Sequence, residues 1–198
     1  EVIDLPSKGL LYSAYSPLKS GTIEMKYMTA KEEDILTNQN YIVKGVVIDK
    51  LLQSLIVDKN IKYGELLIGD KNALLVAARI LGYGKDYDFS YQGEKVTVDL
   101  SEVTNKTFDE SKLTDGKNEF EYTLPTTGDK ITFKLLTHSD EYKIDQELKG
   151  LKKMNKDASP EVSTRLKYML IGVNGNGETK TIREFVDNRF LARDSRAF

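Results

Sequence analysis

An acidic stretch near the N-terminus is the first place where this sequence has residues suited to chemistry. In MTAKEEDILTN, residues 28–38, the carboxylates Glu32, Glu33 and Asp34 are consecutive, and clustered carboxylates act as general acids and bases or bind divalent cations. The stretch also has the S/T-x-x-E spacing of a capping box, because Thr29 lies three residues before Glu32. A helix dipole stabilises each acidic residue of the first turn by about 0.3–1 kcal/mol. We therefore predict a helix start here and no active site.

Two glycine-containing stretches resemble phosphate-binding loops but lack the residues that such loops need. In GYGKDY, residues 82–87, Arg79 occupies the position of the first glycine, and Asp86 replaces the Ser or Thr that would bind magnesium. GNGETK, residues 175–180, fails in the same way. We predict a helix end at the first stretch and a turn at the second.

The composition removes most other catalytic and metal sites. The 198 residues include no cysteine and one histidine, His138, whereas zinc and non-haem iron need several nitrogen or sulfur ligands. His138 lies beside Asp140 and Glu141, where a helix start explains the acids, and no nucleophile motif such as G-x-S-x-G accompanies it. We therefore predict no catalytic residue, no metal and no cofactor.

Charge and hydropathy restrict the partners. The chain has 29 basic and 31 acidic residues, so no simple electrostatic attraction to nucleic acid is expected, and the lysines between residues 149 and 156 are interpreted as a solvated helix face. No apolar run reaches the roughly 20 residues of a membrane span, and the N-terminus EVIDLPSKG lacks the features of a signal peptide. Because the chain starts at Glu1 and reaches Phe198 without a helix stop signal, we expect it to continue in a longer protein.

The periodicity of apolar residues divides the chain into four segments and predicts an α+β fold. Residues 1–28 form an extended arm and a strand, and residues 29–85 form a helical N-terminal unit. Residues 86–136 form a small antiparallel β insertion of two hairpins, the first of which has its two strands around Gln92-Gly93, and residues 137–198 form the helical C-terminal part. No internal repeat is evident along the sequence.

Apolar stripes and turn signals place the individual elements. One helix of the N-terminal unit has its stripe at Ile48, Leu51, Leu52, Leu55 and Ile56. Asp70 is predicted to cap the next helix, which carries Leu74, Ala77, Ala78 and Leu81 and stops at Gly82 and Gly84.

Two further helices are predicted in the C-terminal part. A helix starts at Ser159-Pro160 and has Val162, Leu166, Met169, Leu170 and Val173 on one face. A last helix covers residues 181–198 and pairs Arg183 with Asp187.

Two groups of residues are predicted to contact other proteins, since apolar, aromatic and arginine side chains are common at interfaces. One group lies in the N-terminal arm, and the other lies on the last helix. They comprise Leu10, Leu11, Tyr12 and Tyr15 in the arm, and Arg183, Phe185, Arg189, Phe190, Arg193 and Arg196 on the helix.

Several long blocks of the sequence resemble a family of phage proteins. DLPSKGLLY, GTIEMKYMTAKEEDILTNQNYI, IDKLLQSLI, LIGDKNALLVAARILGYGKDY and NRFLARDSRAF follow one another along the chain. In this order they are similar to the baseplate hub subunit, or hub assembly protein, family of T4-like bacteriophages. Some members have a Cys-x-x-Cys pair in the β insertion that suggests a zinc site, but this chain has YDFSYQGEKVTVDL there, so no metal is carried over.

The resemblance implies a non-enzymatic role in building the phage tail baseplate through protein–protein contacts. The expected partners are other baseplate hub, tail-tube or tape-measure proteins, or a second copy of the chain, with no nucleic acid and no membrane. The chain is either a hub component retained in the virion tail baseplate or an assembly chaperone that acts in the host cytoplasm and then leaves. The alternative from the residues alone is a small soluble nucleotide- or metal-dependent enzyme that uses the acidic residues.

Overall fold

The computed structural model describes residues 1–157 and 160–198 and has an α+β fold. The chain divides into two compact units, Glu1–Gly116 and Lys117–Phe198, which are called unit 1 and unit 2 below. The predicted fold class is therefore confirmed. The predicted β insertion over residues 86–136 is wrong as a single segment, because its first hairpin belongs to unit 1 and its second to unit 2.

Unit 1 contains four helices and two antiparallel hairpins. Its elements are β1 Val2–Asp4, β2 Thr22–Glu24, α1 Ala30–Leu36, α2 Gln39–Lys44, α3 Val47–Leu55, α4 Ile68–Tyr83, β3 Asp86–Tyr91 and β4 Glu94–Asp99. Unit 2 combines a three-stranded antiparallel sheet, in the order β5-β6-β7, with helices. Its elements are β5 Phe120–Thr123, β6 Lys130–Phe133, α5 His138–Met154, α6 Glu161–Met169, β7 Leu170–Val173, α7 Thr179–Asn188 and α8 Ala192–Ala197.

The N-terminal segment is folded and not an extended arm. β1 pairs with β2, with Ile3 opposite Ile23, and the loop between the strands contains a short 3-10 helix at Pro17–Ser20. Gly21 has a φ of +74°, and a Cβ there would lie 2.7 Å from the Lys8 carbonyl oxygen. Only glycine fits a backbone with this sign of φ and this close approach.

The predicted apolar stripe of α3 faces the interior of unit 1. Leu51, Leu52 and Leu55 are buried, and Ile56 is buried just after the helix ends, whereas Ile48 is 36% exposed. Four of the five predicted positions therefore face the interior, as the 3.6-residue period requires.

Helix α4 begins and ends differently from the prediction. Its N-cap is Leu67, so Asp70 lies within the first turn and is not the cap. Gly82 lies inside the helix, which ends at Tyr83 and has Gly84 as its C-cap. A Cβ at Gly82 would collide with the Met28 sulfur, so this glycine provides space for a neighbouring side chain instead of a stop signal.

The C-terminal part is less helical than predicted. The helix expected to continue to Val173 ends at Met169, and Leu170–Val173 instead form strand β7 beside β6. Pro160 is the N-cap of α6 and not its first residue, and the predicted starting residue Ser159 lies outside the described residues. The single last helix is two helices, since α7 ends at Asn188 and α8 begins at Ala192.

The core of unit 2 lies between its sheet and α7. Its buried members are Leu124, Ile131, Leu170, Val173, Ile182, Phe185 and Val186. Phe190 and Phe198 pack against this cluster, and the ring centroids of Phe185 and Phe190 are 5.3 Å apart. Among the helices of residues 1–157 and 160–198, none is both long and apolar enough to span a membrane.

Candidate functional site

The predicted contact residues of the N-terminal segment are largely inside unit 1. Leu11 and Tyr12 are buried, Leu10 is half-buried, and Tyr15 is 98% exposed. The Tyr12 hydroxyl donates to the Asp70 carboxylate at 2.6 Å and accepts from the Leu67 amide at 2.9 Å. The prediction of a partner-binding site is thus wrong for Leu11 and Tyr12 in this fold, because their side chains fill the core of their own unit.

The predicted contact residues at the C-terminus are divided between the core and the surface. Phe185 is buried and Phe190 is partly buried in the core of unit 2. Arg189 is exposed and lies 3.4 Å from the Asp129 carboxylate. Arg193 and Arg196 are exposed on α8. Phe185 is therefore corrected from a contact residue to a core residue, and the arginines remain candidates.

Arg183 binds a carboxylate on another helix and not the predicted Asp187. Its two terminal nitrogens each lie 2.8 Å from a Glu147 carboxylate oxygen, in a bidentate pair, and Asp187 pairs with Lys167 instead. The hydrogen bonds from Arg183 are the main reason that the pKa of Glu147 falls to about 2. Arg183 therefore joins α7 to α5 within unit 2, in the planar geometry that arginine favours.

Glu32, from the acidic stretch, is completely buried and fully hydrogen-bonded. Its carboxylate accepts from the Thr29 amide at 2.9 Å and the Thr29 hydroxyl at 2.6 Å. It also accepts from the Ser54 hydroxyl at 2.7 Å and lies 2.6 Å from the Lys26 ammonium. Burial raises the pKa of Glu32, but these hydrogen bonds outweigh it and hold the pKa well below the ordinary value. The predicted helix start at Thr29 is confirmed.

Asp140 has the same role at the start of α5. Its carboxylate accepts from the Thr137 amide at 3.0 Å and the Thr137 hydroxyl at 3.0 Å, and the Lys134 ammonium lies 2.8 Å away. Burial opposes ionisation, yet these partners lower the pKa of Asp140. We call Glu32 and Asp140 the cap carboxylates.

Two further buried carboxylates each bind the loop that follows the first strand of their own unit. Asp70 accepts from the Ser7 amide at 2.9 Å and the Ser7 hydroxyl at 2.7 Å. Asp194 accepts from the Thr126 amide at 2.8 Å and the Thr127 amide at 3.3 Å. Burial opposes the charge of Asp194, but the bonds from Thr126 and Thr127 lower its pKa. We call Asp70 and Asp194 the loop carboxylates.

The four buried carboxylates are used to hold backbone and side chains of the fold. Each has its hydrogen-bond partners within its own unit. Together the four are the only buried acids in the described residues. Within residues 1–157 and 160–198, no group of three or more His, Asp or Glu residues is arranged to hold a metal ion. A surface cavity of about 250 Å³ in unit 1 is lined by one acid, Asp58, with Gln53, Ile56, Lys59, Ile61 and Tyr63.

The most distinctive surface in unit 1 is one side of the β3–β4 hairpin. Tyr87 lies opposite Val98 and Phe89 lies opposite Val96, and Tyr91 follows two residues further towards the turn. Alternate residues of a strand point to the same side, so these five side chains form one surface, which we call the aromatic face. Its rings are 45%, 38% and 62% exposed at Tyr87, Phe89 and Tyr91.

The other side of this hairpin is polar and fixes the strands to each other. Asp88 accepts from the Thr97 hydroxyl at 2.6 Å, and Lys95 lies 3.4 Å from Asp88. At the base, the Lys85 ammonium lies 2.6 Å from the Asp99 carboxylate, which lowers the pKa of Asp99 to about 2. In the described part of the chain, no further strand joins this two-stranded sheet. The exposure of Tyr87, Phe89 and Tyr91 shows that the hairpin presents its apolar side to solvent.

No model of a known protein family matches the chain, and neither does a curated protein or a solved structure. The functional interpretation therefore depends on the side chains described above. Among them, the aromatic face combines large apolar area with exposure, whereas the buried acids and Arg183 are bound within their own units.

The aromatic face was missed as a contact surface in the sequence, although its strands were predicted correctly around Gln92-Gly93. The available signal was the alternation Tyr87-x-Phe89-x-Tyr91. In a sheet that packs on a core this alternation marks the buried side, so only the three-dimensional structure reveals that no layer covers it.

Proposed function

We propose that this chain is a non-enzymatic protein of phage tail-baseplate assembly that acts by contact with baseplate hub, tail-tube or tape-measure proteins. The resemblance of its sequence blocks to the T4-like hub subunit family supports this assignment. The single observation that carries the contact mechanism is the aromatic face on the β3–β4 hairpin. Exposed contiguous apolar surface on a folded protein is a typical mark of a site that binds another protein.

The exposed area is large enough to contribute strongly to binding. An aromatic side chain buries about 150–250 Å² when fully covered, and the three rings of the aromatic face are about half exposed. Covering them would remove about 300 Å² from water, which corresponds to about 7 kcal/mol before the cost of association. The partner that fits this face is a protein with its own apolar or aromatic patch.

The charged residues support a contact role over a chemical one. Glu32, Asp70, Asp140 and Asp194 each accept at least two hydrogen bonds inside their own unit. A carboxylate held in this way stabilises a helix start or a loop and has little capacity left for a substrate. Each of these ionised groups thus serves the framework of the unit that contains it.

Co-purification with co-expressed hub, tail-tube and tape-measure proteins tests the proposal. We expect the wild-type chain to retain one of them. Phe89→Ser removes about 80 Å² of exposed ring, so binding should weaken by about 2 kcal/mol, or roughly 30-fold. The matched control is Ser90→Ala with Lys95→Ala, a cross-strand pair on the polar side, which should bind like wild type. A wild-type chain that retains none of these proteins would refute the proposal.

The two versions of the role differ in whether the protein remains in the mature virion. As a hub component it would remain in the virion tail baseplate. As an assembly chaperone it would bind intermediates in the host cytoplasm and be released. Mass spectrometry of purified mature virions and of baseplate intermediates separates these versions. Stoichiometric amounts in virions indicate the component, whereas presence in intermediates alone indicates the chaperone.

A further inference from the structure

Three short patterns occur in both units and in the same order, and the shortest of them, L-x-x-D, also occurs a second time in unit 1 at residues 55–58. L-P-[ST]-x-G is found at residues 5–9 and 124–128, and K-x-x-T-x-x-[DE] is found at residues 26–32 and 134–140. L-x-x-D is found at residues 67–70 and 191–194. Each pattern is too short to be significant alone, so its structural position in each unit decides whether the likeness is meaningful.

The first pattern follows the same strand register in both units. Ile3 lies opposite Ile23 in unit 1, and Tyr122 lies opposite Ile131 in unit 2. In each unit the first of these residues stands two positions before the Leu-Pro, and the second stands three positions before the lysine of the second pattern. Gly9 and Gly128, which close the first pattern, both have positive φ, +73° and +75°.

The second pattern forms the same cap in both units. The cap carboxylates Glu32 and Asp140 bind the amide of the threonine three residues before them, at 2.9 and 3.0 Å. Each also pairs with the lysine six residues before it, at 2.6 and 2.8 Å. Both units thus contain the same succession of a strand, a lysine, a threonine cap and a helix.

In each unit a nine-residue helix ends beside the lysine of the second pattern. Helix α3 ends at Leu55 and α6 ends at Met169. The Lys26 amide donates to the Leu55 carbonyl at 3.0 Å, and the Lys134 amide donates to the Met169 carbonyl at 3.0 Å. The next residue leaves the helix in extended conformation in both units and lies beside the second hairpin strand.

The third pattern binds the first pattern through the loop carboxylates. Asp70 and Asp194 accept from the amides of Ser7 and Thr126, at 2.9 and 2.8 Å. Ser7 and Thr126 occupy the same position of L-P-[ST]-x-G. The leucine that opens the third pattern is a helix N-cap in both units, with φ and ψ of −60° and 144° in unit 1 and −61° and 143° in unit 2.

We infer that the chain contains two copies of one module, residues 2–83 and residues 120–197. Strand register, cap, helix return and loop binding coincide in order and geometry in the two units. The expectation that the sequence has no internal repeat is therefore corrected. The copies escape detection because their loops differ in length, with residues 10–22 in the first hairpin against residues 129–130 in the second.

The β3–β4 hairpin at residues 86–99 follows α4, the last element of the first copy. The aromatic face therefore lies outside residues 2–83, which make up that copy. A change in the hairpin should leave both modules folded, whereas a change in a loop carboxylate should affect only the module that contains it.

Hydrogen exchange of the full-length chain, measured by mass spectrometry, tests the equivalence of the copies. Asp70→Asn should raise exchange at residues 5–9 at least tenfold and leave residues 124–128 unchanged. Asp194→Asn should do the reverse. The reciprocal exchange Ser7→Thr with Thr126→Ser swaps the equivalent residues between copies and should leave both loops as protected as in wild type, and Asp34→Asn serves as an exposed charge control.

Each outcome counts for or against the duplication. Loss of protection that stays within the substituted unit supports two equivalent modules, even when that unit unfolds entirely. The inference is overturned when Asp194→Asn leaves residues 124–128 unchanged, or when either asparagine variant exposes both units together. Strong deprotection in the reciprocal Ser/Thr variant would also overturn it.

Discussion

Replacing Glu32 with glutamine is the sharpest perturbation of the framework in unit 1. The side chain keeps its size but loses its charge, and its amide nitrogen must face a donor that now binds a carboxylate oxygen. The oxygens of Glu32 accept from Thr29, Ser54 and Lys26 at 2.6–2.9 Å. Removing one partner of a buried charged pair costs about 3–5 kcal/mol. Because Lys26 is 41% exposed, we expect about 3 kcal/mol.

Urea unfolding followed by circular dichroism measures this loss as a fall in the free energy of unfolding. Asp34→Asn is the matched control, since it also removes one negative charge from α1 but at an exposed position. It should change the free energy of unfolding by less than about 0.5 kcal/mol. Equal stability of the Glu32→Gln and Asp34→Asn variants would refute the assignment of Glu32 as the residue that holds this helix start.

The same variant gives a pH dependence with a fixed sign. The folded-state pKa of Glu32 lies below its ordinary value because its hydrogen bonds outweigh its burial. Its contribution to stability is therefore complete above the unfolded pKa of about 4.3 and is lost as the pH falls below that value. The stability difference between wild type and Glu32→Gln should be constant from pH 7 to pH 5 and shrink at lower pH. A difference that grows on acidification would contradict this.

Two other predictions concern packing and an ion pair. Gly82→Ala places a Cβ against the Met28 sulfur and forces that side chain to move, so it should lose part or all of the roughly 0.5–1 kcal/mol that alanine gains over glycine in a helix. Gly150→Ala, in α5 with open space around it, should keep this full gain in thermal unfolding. Equal stabilisation by both alanines would contradict the packing of α4. Arg183→Lys loses the bidentate geometry with Glu147 and, given the partial exposure of the pair, should cost about 1 kcal/mol in urea unfolding, so unchanged stability would show that the pair contributes nothing.

Local patterns in the sequence were sufficient for several elements. The stripe at Leu51, Leu52 and Leu55 and the spacing of Thr29 and Glu32 depend on residues one or two helical turns apart. The same holds for the hairpin around Gln92-Gly93, where the turn alone fixes the register. Such short-range features are decided by backbone geometry and capping, which the sequence displays directly.

Features that depend on distant partners were predicted wrongly. Leu170–Val173 continues the apolar pattern of α6, and only the free edge of β6 makes it a strand. Asp70 was predicted to cap α4, yet its hydrogen-bond partner Ser7 is 63 residues away along the chain. Asp187 lies one helical turn after Arg183, but Arg183 instead donates to both carboxylate oxygens of Glu147 on α5. These choices are made by tertiary contacts that no local pattern contains.

The aromatic face is the proposed contact surface, and baseplate proteins are its proposed partners. Hydroxyl-radical footprinting of the chain, alone and with purified hub, tail-tube and tape-measure proteins, measures the solvent access of each ring. Oxidation of Tyr87, Phe89 and Tyr91 should fall several-fold in the complex, whereas Tyr142 on α5, which is 58% exposed, should react at an unchanged rate. Equal oxidation of the three rings with and without a bound partner would contradict the proposal.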